Sequence, residues 1–172
     1  MSYYNSISTG YEELHKEEQL KKIALIKEYF KRYPDFEPKT NDKLLDVGCG
    51  TGLTTIPWNC ELYGIDPAKK LLERAHKLGE NNKKIIYKQA QAENIPYPDN
   101  YFDFVISITA IQNFEDIEKG LSEIKRVGKK KFILSFLKKS KKSDFIKKLI
   151  YDLFKVKIEI EEQKDKIFFC EK

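Results

Sequence analysis

Hydrophobic and polar positions follow two periods along this chain, one typical of helices and one typical of strands. Residues 11–32 place apolar side chains three or four positions apart, which predicts a helix that Pro34 and Pro38 end. Short apolar runs typical of buried strands begin at Lys43 and recur as far as the C-terminus. The predicted strands are residues 43–47, 61–65, 84–88, 102–108, 131–137, 156–160 and 166–170.

Amphipathic segments separate most of these strands and predict helices. One opens at Asp66-Pro67, where the carboxylate is expected to cap the helix and proline to fill its first turn. Others are predicted near residues 117–127 and 143–154, and a short one from Leu53. Strands that alternate with helices predict an α/β fold: a single doubly wound, mostly parallel Rossmann-like sheet with a C-terminal antiparallel hairpin.

Length and composition narrow the class of protein. The 172 residues suit one domain, so residues 1–172 are expected to form a single domain. No apolar run approaches the roughly 20 residues that cross a bilayer, and the first residues are too acidic for a signal peptide, so no membrane association and a cytoplasmic location are expected. Frequent Lys, Glu and Ile with a single Met favours a thermophile.

The glycine-rich segment after the first predicted strand carries the candidate chemistry. Asp46 is followed by glycines at every second position up to Gly52, a pattern that lets the backbone approach a ligand closely. A nicotinamide fingerprint needs a further glycine where Leu53 stands, which disfavours an oxidoreductase. S-adenosylmethionine has no pyrophosphate, and it carries an ammonium group that Asp46 can hold.

A second acid, Asp66, ends the second predicted strand. A carboxylate at this place can accept both hydrogen bonds of a ribose diol, as it does in dinucleotide folds. The alternative is that Asp66 only caps the following helix. Coupled to the glycine turn eighteen positions earlier, Asp66 is better explained as a ligand-binding residue.

Three segments together resemble class I S-adenosylmethionine-dependent methyltransferases, in particular those with the type 11 methyltransferase domain. They are LLDVGCGTGLTT (44–55), YGIDPAKKLLERA (63–75) and AQAENIPYPDNYFDFVIS (90–107). The resemblance implies an enzyme that uses S-adenosylmethionine to methylate an acceptor, which is RNA, protein or a small molecule. It also implies that residues 1–40 form a helical arm over the cofactor site, with Tyr3, Tyr4 and Tyr11 near the pocket.

Carried over by position, the resemblance also implies the cofactor contacts. Gly48, Cys49 and Gly50 would line the methionine moiety, and Asp66 would hold the ribose. Pro67, Ala92 and Glu93 would border the adenine, Gln91 stands where many relatives have an acid, and Ile108 would face the reactive methyl group. The expected cofactor-binding residues are Asp46, Gly48, Cys49, Gly50, Gly52, Asp66, Pro67, Gln91, Ala92, Glu93 and Ile108. No catalytic base and no metal site are predicted.

The acceptor is less well marked. Residues 107–113, SITAIQN, lack the Asn/Asp-Pro-Pro-aromatic signature of many enzymes that methylate amino nitrogens. Residues 119–148 hold twelve Lys or Arg against Glu123 and Asp144. This basic stretch favours RNA as a partner on one interpretation, and on the other it is a solvated surface.

Two alternatives concern partners. A catalytically inactive methyltransferase-like subunit that binds S-adenosylmethionine and supports a partner remains open, although Asp46, Asp66 and the glycines favour a working site. The short chain also suggests a small activator subunit that docks on an exposed apolar face or sheet edge, with Ile111, Phe114 and the arm at residues 3–11 as candidates. A single arm that closes over the pocket explains the same residues without a partner.

Overall fold

The computed structural model describes residues 2–80 and 84–172, with the backbone alone for residues 2–9 and 11. The chain divides into two compact units, residues 1–37 and 38–172. The first consists of helix α1 (Ser2–Phe30) and a 3-10 turn at Pro34–Phe36. The helix predicted for residues 11–32 is therefore confirmed and extends to Ser2. The side chains of Tyr3, Tyr4 and Tyr11 lie outside the described residues, and the covering arm stays a prediction.

The second unit contains one seven-stranded sheet built from the residues described above. Its elements in chain order are β1 (Lys43–Val47), β2 (Glu61–Asp66), α2 (Lys69–Gly79), β3 (Ile85–Gln89), β4 (Phe102–Ser107), α3 (Ile117–Val127), β5 (Gly128–Leu137), α4 (Ser143–Leu153), β6 (Lys155–Glu161) and β7 (Asp165–Glu171). The strand order is β3-β2-β1-β4-β5-β7-β6. Strands β1 to β5 pair in parallel, and β7 pairs antiparallel with β5 and β6. The predicted fold, including the terminal hairpin, is confirmed.

The strand order fixes where a ligand site can form. From β1 the chain moves outward through β2 and β3, and then returns to β4 on the other side of β1. Right-handed crossovers in opposite directions place their connecting segments on opposite faces of the sheet. The carboxyl ends of β1 and β4 therefore flank the crevice at the switch point, where ligands bind in such sheets.

The hydrophobic core lies between the sheet and helices α3 and α4. Both helices carry apolar stripes at helical spacing, as the sequence predicts, and these stripes pack on side chains of β4, β5 and β7. Among the fully buried members are Phe102, Leu121, Ile124, Phe132, Ile150 and Phe168. This packing holds β4 and β5 in place, and with them the loops that follow both strands.

Two local predictions are wrong. The segment after Leu53 forms turns and no helix, because only a few residues remain before β2 begins at Glu61. Helix α2 begins at Lys69 with Ala68 at the N-cap position, two residues later than Asp66-Pro67 suggests. Asp66 is therefore not the N-cap residue of α2.

The partner surface proposed from sequence also needs correction. Ile111 is fully buried and Phe114 is 8% exposed, so neither belongs to an exposed apolar face. Among the described residues, no helix combines the length and the apolar character that a bilayer crossing demands.

Two phenylalanines that differ in burial should differ in how much each contributes to the free energy of unfolding. Phe132 is fully buried in β5, and Phe145 in α4 is 51% exposed. Phe132→Ala should lower the free energy of unfolding by about 3–5 kcal/mol, because it removes buried surface and leaves a cavity. Phe145→Ala should change it by less than about 0.5 kcal/mol. Urea unfolding of both variants measures the difference, and equal losses would contradict this description of the core.

Candidate functional site

The glycine turn after β1 runs across the end of β2. The backbone N–H groups of Gly48 and Cys49 both donate to the carbonyl oxygen of Ile65, at 2.8 and 3.0 Å. Gly48, Gly50 and Gly52 have φ angles of +74°, +53° and +84°. Residues that carry a side chain rarely adopt this left-handed backbone conformation, so the turn itself requires glycine at these three positions.

The three glycines differ in which atoms lie beside them. A Cβ atom at Gly48 would lie 2.6 Å from the Cβ of Ala110, and one at Gly52 would lie 2.5 Å from the hydroxyl of Tyr87. Both positions therefore lack a side chain because other parts of the protein pack against them. A Cβ at Gly50 would meet nothing within 4 Å. Of these three glycines, Gly50 is thus the one with open space on the side where a side chain would point.

Asp66 joins the glycine turn to the turn after β2. One carboxylate oxygen accepts from the backbone N–H of Gly50 at 2.9 Å, and the other accepts from Ala68 at 2.8 Å. A carboxylate offers about four acceptor positions, so two bonds to the backbone leave capacity for two more. The residue is only 7% exposed, which confines that capacity to the edge of the site.

Asp46 is fully buried at the end of β1. One of its oxygens accepts from the hydroxyls of Thr54 and Thr55, each at 2.7 Å, and Oδ1 has no hydrogen-bond partner among the described residues. Burial raises the pKa of this carboxyl group from about 3.8 to about 6, against the lowering effect of the two hydroxyls. An oxygen buried in this way is suited to interact with a positive charge.

A cleft that encloses about 120 Å³ lies beside these carboxylates. Two hydrogen bonds connect the segments that form the walls of this cleft. Gln91 donates to Glu115 at 3.4 Å, and Glu93 accepts from the backbone N–H of Asp116 at 3.1 Å. The cleft is lined by Gly48, Pro67, Ala90, Gln91, Ala92, Glu93, Asn113, Phe114 and Glu115.

The structure brings five of the eleven residues expected from sequence to one cleft. Gly48, Pro67, Gln91, Ala92 and Glu93 line the cleft. Gly50 and Asp66 do not line the cleft, but they are hydrogen-bonded to each other, and Asp66 directly precedes the lining residue Pro67.

The remaining expected residues have other surroundings. The sulfur of Cys49 lies against Gly64, 2.9 Å from the position of an added Cβ there, so only the backbone of Cys49 belongs to the turn surface. Burial raises the pKa of the Cys49 thiol well above its ordinary value. Gly52 faces Tyr87, and Ile108 is 5% exposed and is not among the lining residues of the cleft.

Several residues of the site were not predicted from the sequence. Thr54 and Thr55 come two and three positions after Gly52. Hydroxyl groups so close in sequence to Asp46 could have indicated that they donate to its carboxylate. Asn113, Phe114 and Glu115 come from the 3-10 turn Ile111–Asn113 and the residues after it. No local pattern marks that segment, because only the pairing of β1 with β4 brings it to the cleft.

The basic stretch 119–148 is extensively paired with acids. Within the part of the chain that the structure describes, six of its basic residues form ion pairs. They are Arg126 with Asp99 and Glu123, Lys129 with Asp103, Lys131 with Glu171, Lys138 with Glu161, Lys147 with Glu159 and Lys148 with Asp152. These carboxylates offset much of the positive charge that the linear sequence concentrates there.

Comparison with known proteins identifies a family for this arrangement. A family model described as a methyltransferase domain matches residues 45–136, more than half of the chain. The chain is 34% identical over 117 residues to the ubiquinone biosynthesis O-methyltransferase of Pelagibacter ubique, covering 66% of this chain and 48% of that protein. It is 33% identical over 137 residues to the demethylmenaquinone methyltransferase of Lactobacillus johnsonii, covering 74% and 55%. The chain thus spans about half the length of these curated relatives.

A solved structure shares the fold. The S-adenosylmethionine-dependent methyltransferase of Aquifex aeolicus superposes with a TM-score of 0.69 at 20% identity, over 82% of this chain and 87% of that one. At this identity the likeness shows the fold alone. The fold of this chain therefore recurs in another protein.

The buried acid predicts a pH dependence of stability. The pKa of Asp46 is about 6 in the folded chain and near 3.8 when it is exposed, so the folded state binds the proton more tightly. Stability should therefore be highest below about pH 4 and fall by about 3 kcal/mol as the pH rises through 6, as far as this group is concerned.

Asp46→Asn should remove this pH dependence of stability, because an amide does not titrate in this range. Its oxygen can still accept from the hydroxyls of Thr54 and Thr55. Urea unfolding at several pH values between 4 and 7 measures the slope for each protein. Parallel pH profiles of the wild type and Asp46→Asn would show that Asp46 is not the titrating group.

Proposed function

The chain belongs to the methyltransferase domain family of class I S-adenosylmethionine-dependent enzymes, and on this premise we propose that it transfers a methyl group from S-adenosylmethionine to a small organic acceptor. The observation that carries the proposal is the contact between Gly50 and Asp66. It joins a glycine with open space beside it to a carboxylate with spare acceptor capacity, at the switch point of the sheet.

The residues present fit the ribose and adenine of the cofactor. The free acceptor positions of Asp66 suit a ribose diol, because two neighbouring hydroxyls can donate to one carboxylate. Pro67, Ala92 and Phe114 offer apolar walls to a flat ring. The Gln91 amide already donates to Glu115, and its oxygen is left as an acceptor for the adenine amino group.

The glycine turn and Asp46 fit the methionine end. The open face of Gly50 allows close approach of the ligand to the backbone. Asp46 lies in the strand that leads into this turn, and its buried Oδ1 contributes a negative potential that favours the ammonium group. The same interaction offsets the cost of keeping this carboxylate ionised in the interior.

When bound, S-adenosylmethionine supplies a methyl group activated by the positively charged sulfur. The task of the chain is then to hold the acceptor in line with that methyl group, and positioning of this kind accounts for a large share of the barrier in such reactions. No side chain at the cleft is assigned as a general base. This agrees with a reaction in which the acceptor's own nucleophile attacks once it is oriented.

Two observations favour a small organic acceptor over RNA. One of the relatives described above is named for ubiquinone biosynthesis and the other for demethylmenaquinone, and both names refer to small molecules. The ion pairs of the basic stretch also reduce the positive surface that a phosphate backbone would contact. A quinol or another phenolic compound is the first class of acceptor to test.

The decisive experiment supplies the purified chain with methyl-labelled S-adenosylmethionine. Phenolic and quinol compounds, total RNA and a protein extract are offered in parallel, and the label in each fraction is counted. Label in the small-molecule fraction supports the proposal. Label in RNA or protein alone would overturn the choice of acceptor. Tight cofactor binding without transfer to any fraction would favour the catalytically inactive subunit instead.

Asp66→Ala should weaken S-adenosylmethionine binding by about 1.5–3 kcal/mol, the usual loss for hydrogen bonds to a charged group. Asp42→Ala is the matched control, because Asp42 accepts a backbone N–H from Lys39 at the opposite end of β1. Both variants lose a carboxylate that orders a turn, and only the first should change cofactor affinity in calorimetry. Equal affinities in the two variants would show that Asp66 has a structural role alone.

The basic stretch allows a test of the RNA alternative. Replacing Lys138, Lys139, Lys141 and Lys142 with Ser should leave methyl transfer to the small acceptor unchanged. RNA retention by the wild type should be weak at every salt concentration. Strong retention that falls steeply between about 50 and 200 mM salt, with a flatter slope in the variant, would support a nucleic-acid partner instead.

A further inference from the structure

The turn after β4 contains a backbone conformation that its residue type does not favour. Thr109 has a φ of +56°. A β-branched residue in this left-handed region is a genuine outlier, and such strain persists only where the surroundings enforce it. Among the described residues Asn100 also has a positive φ, and asparagine tolerates it far better.

Three elements hold Thr109 in this conformation. Its backbone N–H donates to the hydroxyl of Ser135 in β5 at 2.8 Å. Its own hydroxyl donates to a carboxylate oxygen of Asp165 at 2.6 Å. Its carbonyl oxygen accepts from the amide of Gln112 at 2.8 Å. Ser135 and Asp165 thus hold Thr109 from two other strands, and Gln112 holds it from the 3-10 turn that follows.

Asp165 is the centre of this network. It opens β7, pairs in register with Leu137 at the end of β5, and is fully buried. The oxygen that accepts from Thr109 also accepts from Ser135 at 2.9 Å. Burying a carboxylate is costly, and a core position of this kind is normally apolar. Its side chain reaches beyond the hairpin, to Ser135 of β5 and to the turn after β4.

The turn that Asp165 holds borders the glycine turn. Ala110 follows Thr109, and its Cβ lies 2.6 Å from the place that a Cβ on Gly48 would occupy. The 3-10 turn Ile111–Asn113 comes next and leads to Asn113 in the wall of the cleft. Movement of Thr109 would therefore displace the surface that faces the glycine turn.

We propose that Asp165 is a positioning residue for methyl transfer. Through Thr109 and Ser135 it fixes residues 108–110 against the glycine turn, and so sets the shape of the site around the reactive methyl group. Asp165 itself is fully buried and does not line the cleft. The inference rests on the proposed function, because it needs the methionine end of the cofactor to lie at the glycine turn.

The test compares S-adenosylmethionine with its demethylated product, since the two ligands differ only in the methyl group and its charge. Calorimetry gives both affinities, and carbon NMR of the cofactor labelled with ¹³C in its methyl group reports the surroundings of that group. Asp165→Ala should weaken S-adenosylmethionine binding roughly tenfold more than product binding, the effect of one lost charged hydrogen bond at that turn. It should also move the bound methyl resonance.

Two further variants separate positioning from stability. Asp165→Asn should restore the wild-type affinity ratio and resonance, because one amide oxygen can accept from both hydroxyls. Cys170→Ala, on the same strand and fully buried, should lower the Tm and leave the ratio unchanged. Thr109→Val removes the hydroxyl and keeps the branched shape, so it tests the same contact if Asp165→Ala does not fold.

Two results would overturn the inference in different ways. A wild-type protein that binds neither ligand would overturn the proposed function, and with it this inference. A wild-type protein that binds both, with an unchanged affinity ratio and methyl resonance in Asp165→Ala or Thr109→Val, would overturn the positioning role alone.

Discussion

The rest of the site depends on one constraint, which is that the backbone after β1 must turn within contact distance of two neighbouring strands. The turn hydrogen-bonds to Ile65 at the end of β2 and packs against Ala110 beyond the end of β4. Glycine at position 48 allows the approach to Ala110, and glycine at position 52 allows Tyr87 of β3 to pack against the turn. Gly48 and Gly52 are both packed against other residues of the protein. Gly50, which lies between them, has open space beside it.

Three buried carboxylates secure this edge of the sheet, and each connects two different segments of the chain. Asp46 binds the hydroxyls of the segment after the glycine turn, and Asp66 binds the backbone of the turn itself. Asp165 comes from the other side, because β7 runs antiparallel to β5 and so begins where β5 ends. An edge held by charged hydrogen bonds is better ordered than one held by apolar contacts, since such bonds are directional. That order suits a reaction that depends on positioning.

Much of this structure could be predicted from sequence, because its signals are local. Alternation of strand and helix patterns predicts a parallel sheet, and the short link between the last two strands predicts a hairpin. The glycines after β1 identify the turn, since left-handed φ angles are a property of the residue type at each position. The position of Asp66 beside the glycine turn could be predicted because Asp66 ends the neighbouring strand β2.

The tertiary structure decided the rest, because long-range contacts leave no trace in a local pattern. Sequence periodicity marks Ile111 and Phe114 only as apolar, and the pairing of β1 with β4 turned them into core and cleft wall. A run of lysines indicates positive charge, and folding brought acids from other elements to pair with many of them. Thr109, Ser135 and Asp165 are ordinary residues in sequence, separated by up to 56 positions. Only the sheet order made them one network, because β5 lies between β4 and β7.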